Sequence, residues 1–228
     1  MRNVKVILEK QLKDTLKNKM VLIQFVLFPL MTLVMENAVR LEDMPDLFFT
    51  KLFSVMYMGM APLTATASIL SEEKEKGILR ALTMANVKPW EYLLGVGVYV
   101  WALCMAGALV MATGFEKGQI PFYLLVMALG FVLSVVAGAC VGIWAKNQMV
   151  STSLVMPVMM ALSFAPMLAM FNDTIEKVAR FFYTQQVRTI LDRMAFAGMG
   201  TTGACVLAAN GLMLGLLFLA AFKRKGLE

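Results

Sequence analysis

"LSEEKEKGILRALTMANVKPWEYLLGV", residues 70–96, carries six ionised side chains between Glu72 and Arg80: Glu72, Glu73, Lys74, Glu75, Lys76 and Arg80. Such a run needs water, because an ion moved into an apolar medium without a partner loses its solvation energy. Yet the segments on either side are apolar. A charged connection between two apolar runs predicts a loop at a membrane surface, with one spanning helix entering it and another leaving.

The composition agrees. Of 228 residues, 60% are apolar and 16% charged, and the mean hydropathy is +0.73; soluble domains are only about half apolar. An all-α polytopic membrane protein is expected. About twenty largely polar residues precede the first apolar run and further runs follow, which is not the pattern of a cleaved signal peptide. Histidine is absent, so no serine or cysteine has its usual imidazole base and no zinc-protease motif exists. Cys104, Cys140 and Cys205 fall inside apolar segments, without the spacing of a disulfide framework or a metal site. No catalytic residue, metal ligand set or cofactor is expected in this chain. The phosphate-binding pattern GxxxxGK[ST] is also missing, so energy for active transport would come from another polypeptide. Lys and Arg outnumber Asp and Glu by 21 to 15. They surround the apolar runs rather than form one patch, which suits anionic lipid and not nucleic acid.

A spanning helix needs about 20 mostly apolar residues, and six stretches qualify: 20–38, 51–70, 92–113, 121–145, 152–171 and 203–222. Pro29 predicts a kink or tilt in the first. With both termini in the cytoplasm, fourteen Lys and Arg lie inside and seven outside, and an excess of basic residues inside is the rule. The span interiors hold no ionisable side chain, which disfavours a proton relay or ion path. Gln24 and Asn210 are the polar exceptions, and Asn210 is expected to bond to a neighbouring helix. Gly138 and Gly142, and again Gly211 and Gly215, sit four apart, a spacing that suits close packing inside the chain or at a dimer seam. Twenty-one methionines fill gaps between helices or adapt to a lipophilic or peptide cargo.

Before the first span, Val4, Leu8, Leu12 and Leu16 recur every four residues with Ile7 beside them. This predicts an interfacial amphipathic helix over residues 1–19; a cytoplasmic helix packed on another subunit fits the same pattern. Before the last span, residues 172–196 are too polar to cross a membrane. They mix Ile175, Val178, Phe181 and Phe182 with Glu176, Lys177 and Arg180, predicting short amphipathic helices at or dipping into the outer interface across 172–202. Phe171, Phe181, Phe182 and Tyr183 are the candidates for an outer gate or substrate exit, and a plain cap over the span ends is the alternative. No repeat or linker divides the chain, so residues 1–228 form one expected membrane domain.

Within the loop 71–91, Ile78, Leu79, Leu82 and Ala85 share one helical face after Gly77, while Lys74, Lys76 and Arg80 stay polar. This predicts a short amphipathic helix held between two spans. Pro89 and Trp90 suit the first turn of the next span. Such a helix fits a groove on a soluble partner, and a solvated loop with incidental helicity fits as well.

Ser71, Glu73-Lys74-Glu75, Gly77, Leu79, Leu82, Val87, Glu91, Leu94 and Gly95 together resemble the cytoplasmic loop of ABC-2 type transporter permeases. That loop usually reads S-R-E-[RK]-E-x-G-T-L-E-x-L, then V, then E-I-L-L-G-K, and lies between the second and third of six spans. Here Ile78 replaces the usual Thr, Arg80 the usual acid, Asn86 the frequent Pro and Val96 the common Lys, and Phe182-Tyr183 stands where a Pro is often found. The resemblance implies that Glu73, Lys74, Glu75, Gly77, Ile78, Leu79, Arg80 and Leu82 belong to a coupling helix seated on an ATP-binding subunit. It also implies that the N-terminal helix is a connecting helix, that residues 172–196 are re-entrant, and that a second copy or a related permease completes a dimer. Two separate ATPase subunits would hold ATP and Mg. The expected function is the membrane subunit of an ABC exporter in the plasma membrane, moving a lipophilic, amphipathic or peptide-like substrate such as a drug or antimicrobial peptide out of the cell. A non-transporting scaffold or immunity-type protein that binds a peptide or membrane partner is the alternative, and an intramembrane enzyme is disfavoured by the missing histidine.

Overall fold

In lipid a chain must satisfy its backbone hydrogen bonds within itself, and a helix does so segment by segment. The computed structural model accordingly shows helices and no strand among the described residues, which are 2–17, 19–39, 45–85, 87–196 and 200–225. In chain order these are α1 (Arg2–Lys17), α2 (Lys19–Ala38), α3 (Phe48–Glu75), α4 (Ile78–Met84), α5 (Pro89–Met111) and α6 (Ile120–Trp144). Then come α7 (Gln148–Met159), a π-helical turn (Met160–Phe164), α8 (Ala165–Leu168), α9 (Asp173–Ala179), α10 (Tyr183–Arg193) and α11 (Gly200–Lys225).

Among the described residues five helical stretches are long and apolar enough to cross a membrane: α3, α5, α6, α7 through α8, and α11. The expected span at 20–38 coincides with α2, whose described apolar stretch, Leu22–Ala38, is shorter. The expected loop at 71–91 begins late, since α3 runs on to Glu75. The physical reason is that the charges of that last turn find partners on other helices, so the turn does not need to unwind into water.

α3 is the most deeply buried of the long helices and α11 the least. Around α3 pack α2, α5, α6, α7 and α10. Two prolines help to stitch this core, because each leaves the carbonyl four residues earlier without its helical N–H. Pro29 frees the carbonyl of Phe25, which accepts a bond from the Tyr57 hydroxyl at 3.2 Å. Pro62 frees that of Met58, which accepts from Ser134 at 2.6 Å. Since the Ser134 proton is committed there, the Tyr183 hydroxyl, 2.6 Å away, is the donor to Ser134. The two polar exceptions also bridge elements: Thr64 donates to the Gln24 side-chain oxygen at 2.8 Å, and Asn210 to the carbonyl of Phe181 at 2.8 Å.

The first glycine pair packs inside the chain. A Cβ on Gly138 would lie 2.5 Å from the carbonyl oxygen of Leu63, and one on Gly142 would lie 2.7 Å from Leu70, both on α3. Gly211 only touches Leu133, and a Cβ on Gly215 would meet nothing within 4 Å. Gly138→Ala is therefore expected to destabilise the chain by about 1–3 kcal/mol through overpacking. Gly215→Ala should be neutral or stabilising by up to about 1 kcal/mol. Thermal unfolding in detergent, followed by size-exclusion chromatography, separates the two.

Candidate functional site

The charged stretch folds around a sharp corner. α3 ends at Glu75, Lys76 is its last helical-geometry residue, and Gly77 follows with φ of 69°. No atom lies within 4 Å of where a Gly77 Cβ would stand, so glycine is required by the left-handed backbone and not by space. α4 then packs against α3 with Leu79 buried, and Pro89 opens α5. The Glu91 carboxylate accepts from the Lys88 backbone N–H at 3.2 Å.

Glu73, Lys74 and Glu75 each fasten a different element to the end of α3. Glu73 is 6% exposed; its Oε1 is bonded by the Lys10 ammonium and accepts from the Gln11 amide at 2.6 Å, both on α1. Tyr92, buried in the first turns of α5, places its hydroxyl beside the same carboxylate. Lys74 donates to the carbonyl of Ile143 at 3.2 Å, in the last turn of α6, where exposed carbonyls attract a cation. Glu75 accepts from the backbone N–H of Gln148 at 2.9 Å, the first residue of α7, where unsatisfied N–H groups attract an anion. Consecutive helical residues point about 100° apart, so three neighbours in sequence reach three separate helices. Glu72, by contrast, pairs with Lys76 one turn on, and that bond holds the Lys76 ammonium above its ordinary pKa.

This placement corrects the sequence reading on two counts. Glu73 does not stay in water, because α1 and α5 enclose it. Leu79, expected to bury against a partner, is already 4% exposed within this chain, with Leu82 and Val87 packed on the same core. The open face of α4 is instead Arg80, Ala81, Met84 and Ala85, with Met84 83% exposed. Ile78 is half-buried, and Lys74 likewise.

α1 is a helix, as expected, but its packed face is rotated. Ile7 and Gln11 are buried, Leu8 is half-buried and Leu12 is exposed; the side chains of Val4 and Leu16 lie outside the described residues. Ile7 seats directly on Gly95, whose Cβ would come within 2.7 Å of it, so the glycine of the recognised pattern admits α1 against α5. Gln11 was the readable clue that sequence reasoning missed. It lies one turn after Ile7, a polar residue on an apolar face, and such a residue asks for a buried partner.

At the opposite end of the bundle the four exit candidates separate. Phe171 and Phe181 are exposed and Phe182 is half-buried, with the Arg180 guanidinium 5.0 Å from the Phe181 ring centre. Tyr183 is buried against Ser134 and lines no opening. Asn172 caps α9 by accepting from Thr174 at 2.9 Å and Ile175 at 3.3 Å. An open apolar groove of about 540 Å³ runs between α5, α6 and α11, over Gly97, Trp101, Val132 and Phe218, with no ionisable residue lining it. No cluster of three potential metal ligands occurs among the described residues.

A family model described as "ABC-2 family transporter protein" matches residues 3–223. No curated protein matches the chain. The chain belongs to the ABC-2 transporter family: it is a multi-pass membrane protein and a permease component of an ABC transporter.

Removing one member of a buried ion pair strands the other, at a cost of about 3–5 kcal/mol when both are fully buried. The Lys10 side chain is 33% exposed, so Glu73→Ala is expected to cost less than that, about 2–3 kcal/mol. Denaturant unfolding of Glu73→Ala, Lys10→Ala and the double variant checks this: the double should cost clearly less than the sum of the singles.

Proposed function

We propose that this chain is the membrane subunit of an ATP-driven exporter, with six spans counting α2, and that α4 is the element on which a separate ATPase subunit docks. In this reading the end of the bundle carrying Glu73, Lys74 and Glu75 faces the cytoplasm, together with both termini, in the plasma membrane. ATP and Mg belong to the partner subunits. A second copy or a related permease completes the membrane part, and the cargo is lipophilic, amphipathic or peptide-like, in keeping with spans that carry no ionisable interior residue.

The observation that carries the docking assignment is the exposure of Met84 on a helix whose other face is packed into the core. A large apolar side chain held out on a firmly seated helix is the form of an anchor for a partner's pocket, and Arg80 beside it offers a charge for orientation. Seven helical residues between Gly77 and the α5 cap leave little slack. A push on Met84 is therefore delivered to the ends of α3 and α5.

Affinity purification of the tagged chain from its native membrane in mild detergent, with mass spectrometry of the co-purifying proteins, tests the reading. A stoichiometric ATPase is expected with the wild type and about tenfold less with Met84→Asp, the loss of roughly 1.4 kcal/mol of binding. Met84 contributes nothing to the core, so the variant should remain folded. Absence of an ATPase from both samples overturns the assignment and favours a scaffold.

A further inference from the structure

The ties made by Glu75 continue up the molecule. α3 and α7 run antiparallel, and at the end near Glu75 they are bound at three points. Gln148 donates its backbone N–H to Glu75 at 2.9 Å and its side-chain amide to Ser68 at 3.4 Å, and Ser151 donates to the carbonyl of Ala67 at 3.2 Å. Farther along, both helices lose regularity at one level. α3 has Pro62, and α7 has Pro157 followed by the π turn Met160–Phe164. The two defects adjoin: a Cβ on Gly59 would lie 2.8 Å from the backbone of Leu162, and Ser163 donates to the carbonyl of Met56 at 3.2 Å. Prolines and π turns are where helices bend. Defects aligned on two packed helices make a joint, because each helix can bend there without breaking the other's hydrogen bonds.

Beyond the joint, α10 holds both members. Arg188 donates to the carbonyl of Pro166 in α8 at 2.7 Å. Tyr183 bonds to Ser134, and Ser134 covers the carbonyl that Pro62 sets free. We propose that α3 and α7 form a jointed lever, in which Glu75 positions the α7 arm and Arg188 couples its far part to α10. This rests on the ATPase-docking reading for its driving force. Displacement of α4 turns the arm about the level of Pro62 and the π turn, and α10, with Phe181 and Phe182 at its start, is the part that answers. Glu75 and Arg188 are thus positioning residues for transport, linking the docking helix to the opposite end of the bundle.

The test uses the full chain in lipid nanodiscs without any ATPase, so the lever and the docking assignment stand or fall separately. The native cysteines are replaced (Cys104→Ala, Cys140→Ala, Cys205→Ser), and spin labels go on Met149→Cys and Leu168→Cys. Both positions are exposed, on either side of the joint, about 28 Å apart along a helix. Glu75→Gln, which weakens the hold on α7, is expected to displace or split the distance distribution by about 2 Å or more, the scale of helix shifts in switching proteins. Deletion of Ala161, which takes one residue out of the π turn, should abolish that response. Pro157→Ala, which restores a backbone donor in the same segment, should reduce it. A role confined to stability would lower the melting temperature of Glu75→Gln and leave the distance where it was. An unchanged distance in Glu75→Gln overturns the lever, and so does a response that survives both joint variants.

Discussion

A carboxylate buried at the end of a spanning helix is tolerated only with partners in contact, since the attraction must offset the lost hydration. Glu73 meets that condition through Lys10 and Gln11 of α1, and much of the surrounding arrangement follows. Because α1 must reach Glu73, it lies against α5, and Gly95 is the opening that lets Ile7 close the gap. Because Glu73 is enclosed, α3 keeps its helical form to Glu75, and the turn to α4 is short enough to need a left-handed glycine. The next two charges then sit at fixed positions, one over the carbonyl end of α6 and one over the amide end of α7. Each of those helix ends carries half a unit of the complementary sign.

The core shows the same economy in apolar surroundings. Prolines in spanning helices expose carbonyls that lipid cannot satisfy. Here hydroxyl groups from neighbouring helices cover the carbonyls freed by Pro29 and Pro62, so each defect becomes a point of attachment. Van der Waals packing alone holds helices in a bilayer only weakly against lipid contacts. Small residues and hydrogen bonds therefore carry much of the specificity, and the α3–α6 contact uses both: Gly138 and Gly142 of α6 rest on α3, and Ser54 of α3 shares a hydrogen bond with Tyr123 of α6 at 2.7 Å.

For a permease this division is useful. In the charged stretch and the helix after it, Arg80, Ala81 and Met84 are exposed, while Glu73, Lys74 and Glu75 just before them are bound to other helices. An external force on a surface loop is dissipated when the loop is slack. Here only two residues separate α4 from α3, so under the proposed docking little of a displacement would be lost between them.

The helical class, five of the six expected apolar spans and the short helix after Gly77 were legible in the sequence. Hydropathy, helical periodicity and glycine's backbone freedom are properties of a chain segment by itself. The family was legible from the pattern between Ser71 and Gly95. Which face of α4 is open, which side of α1 is packed, and whether Glu73 sees water were not legible. Each depends on a residue sixty or more positions away in the chain, or on how two helices rotate about their axes. Tyr183 shows the same limit: its place at the start of an amphipathic helix suggested an opening, and a hydroxyl on α6 made it part of the core. Periodicity tells that a helix has two faces, and only the neighbours with which it packs decide which face is covered.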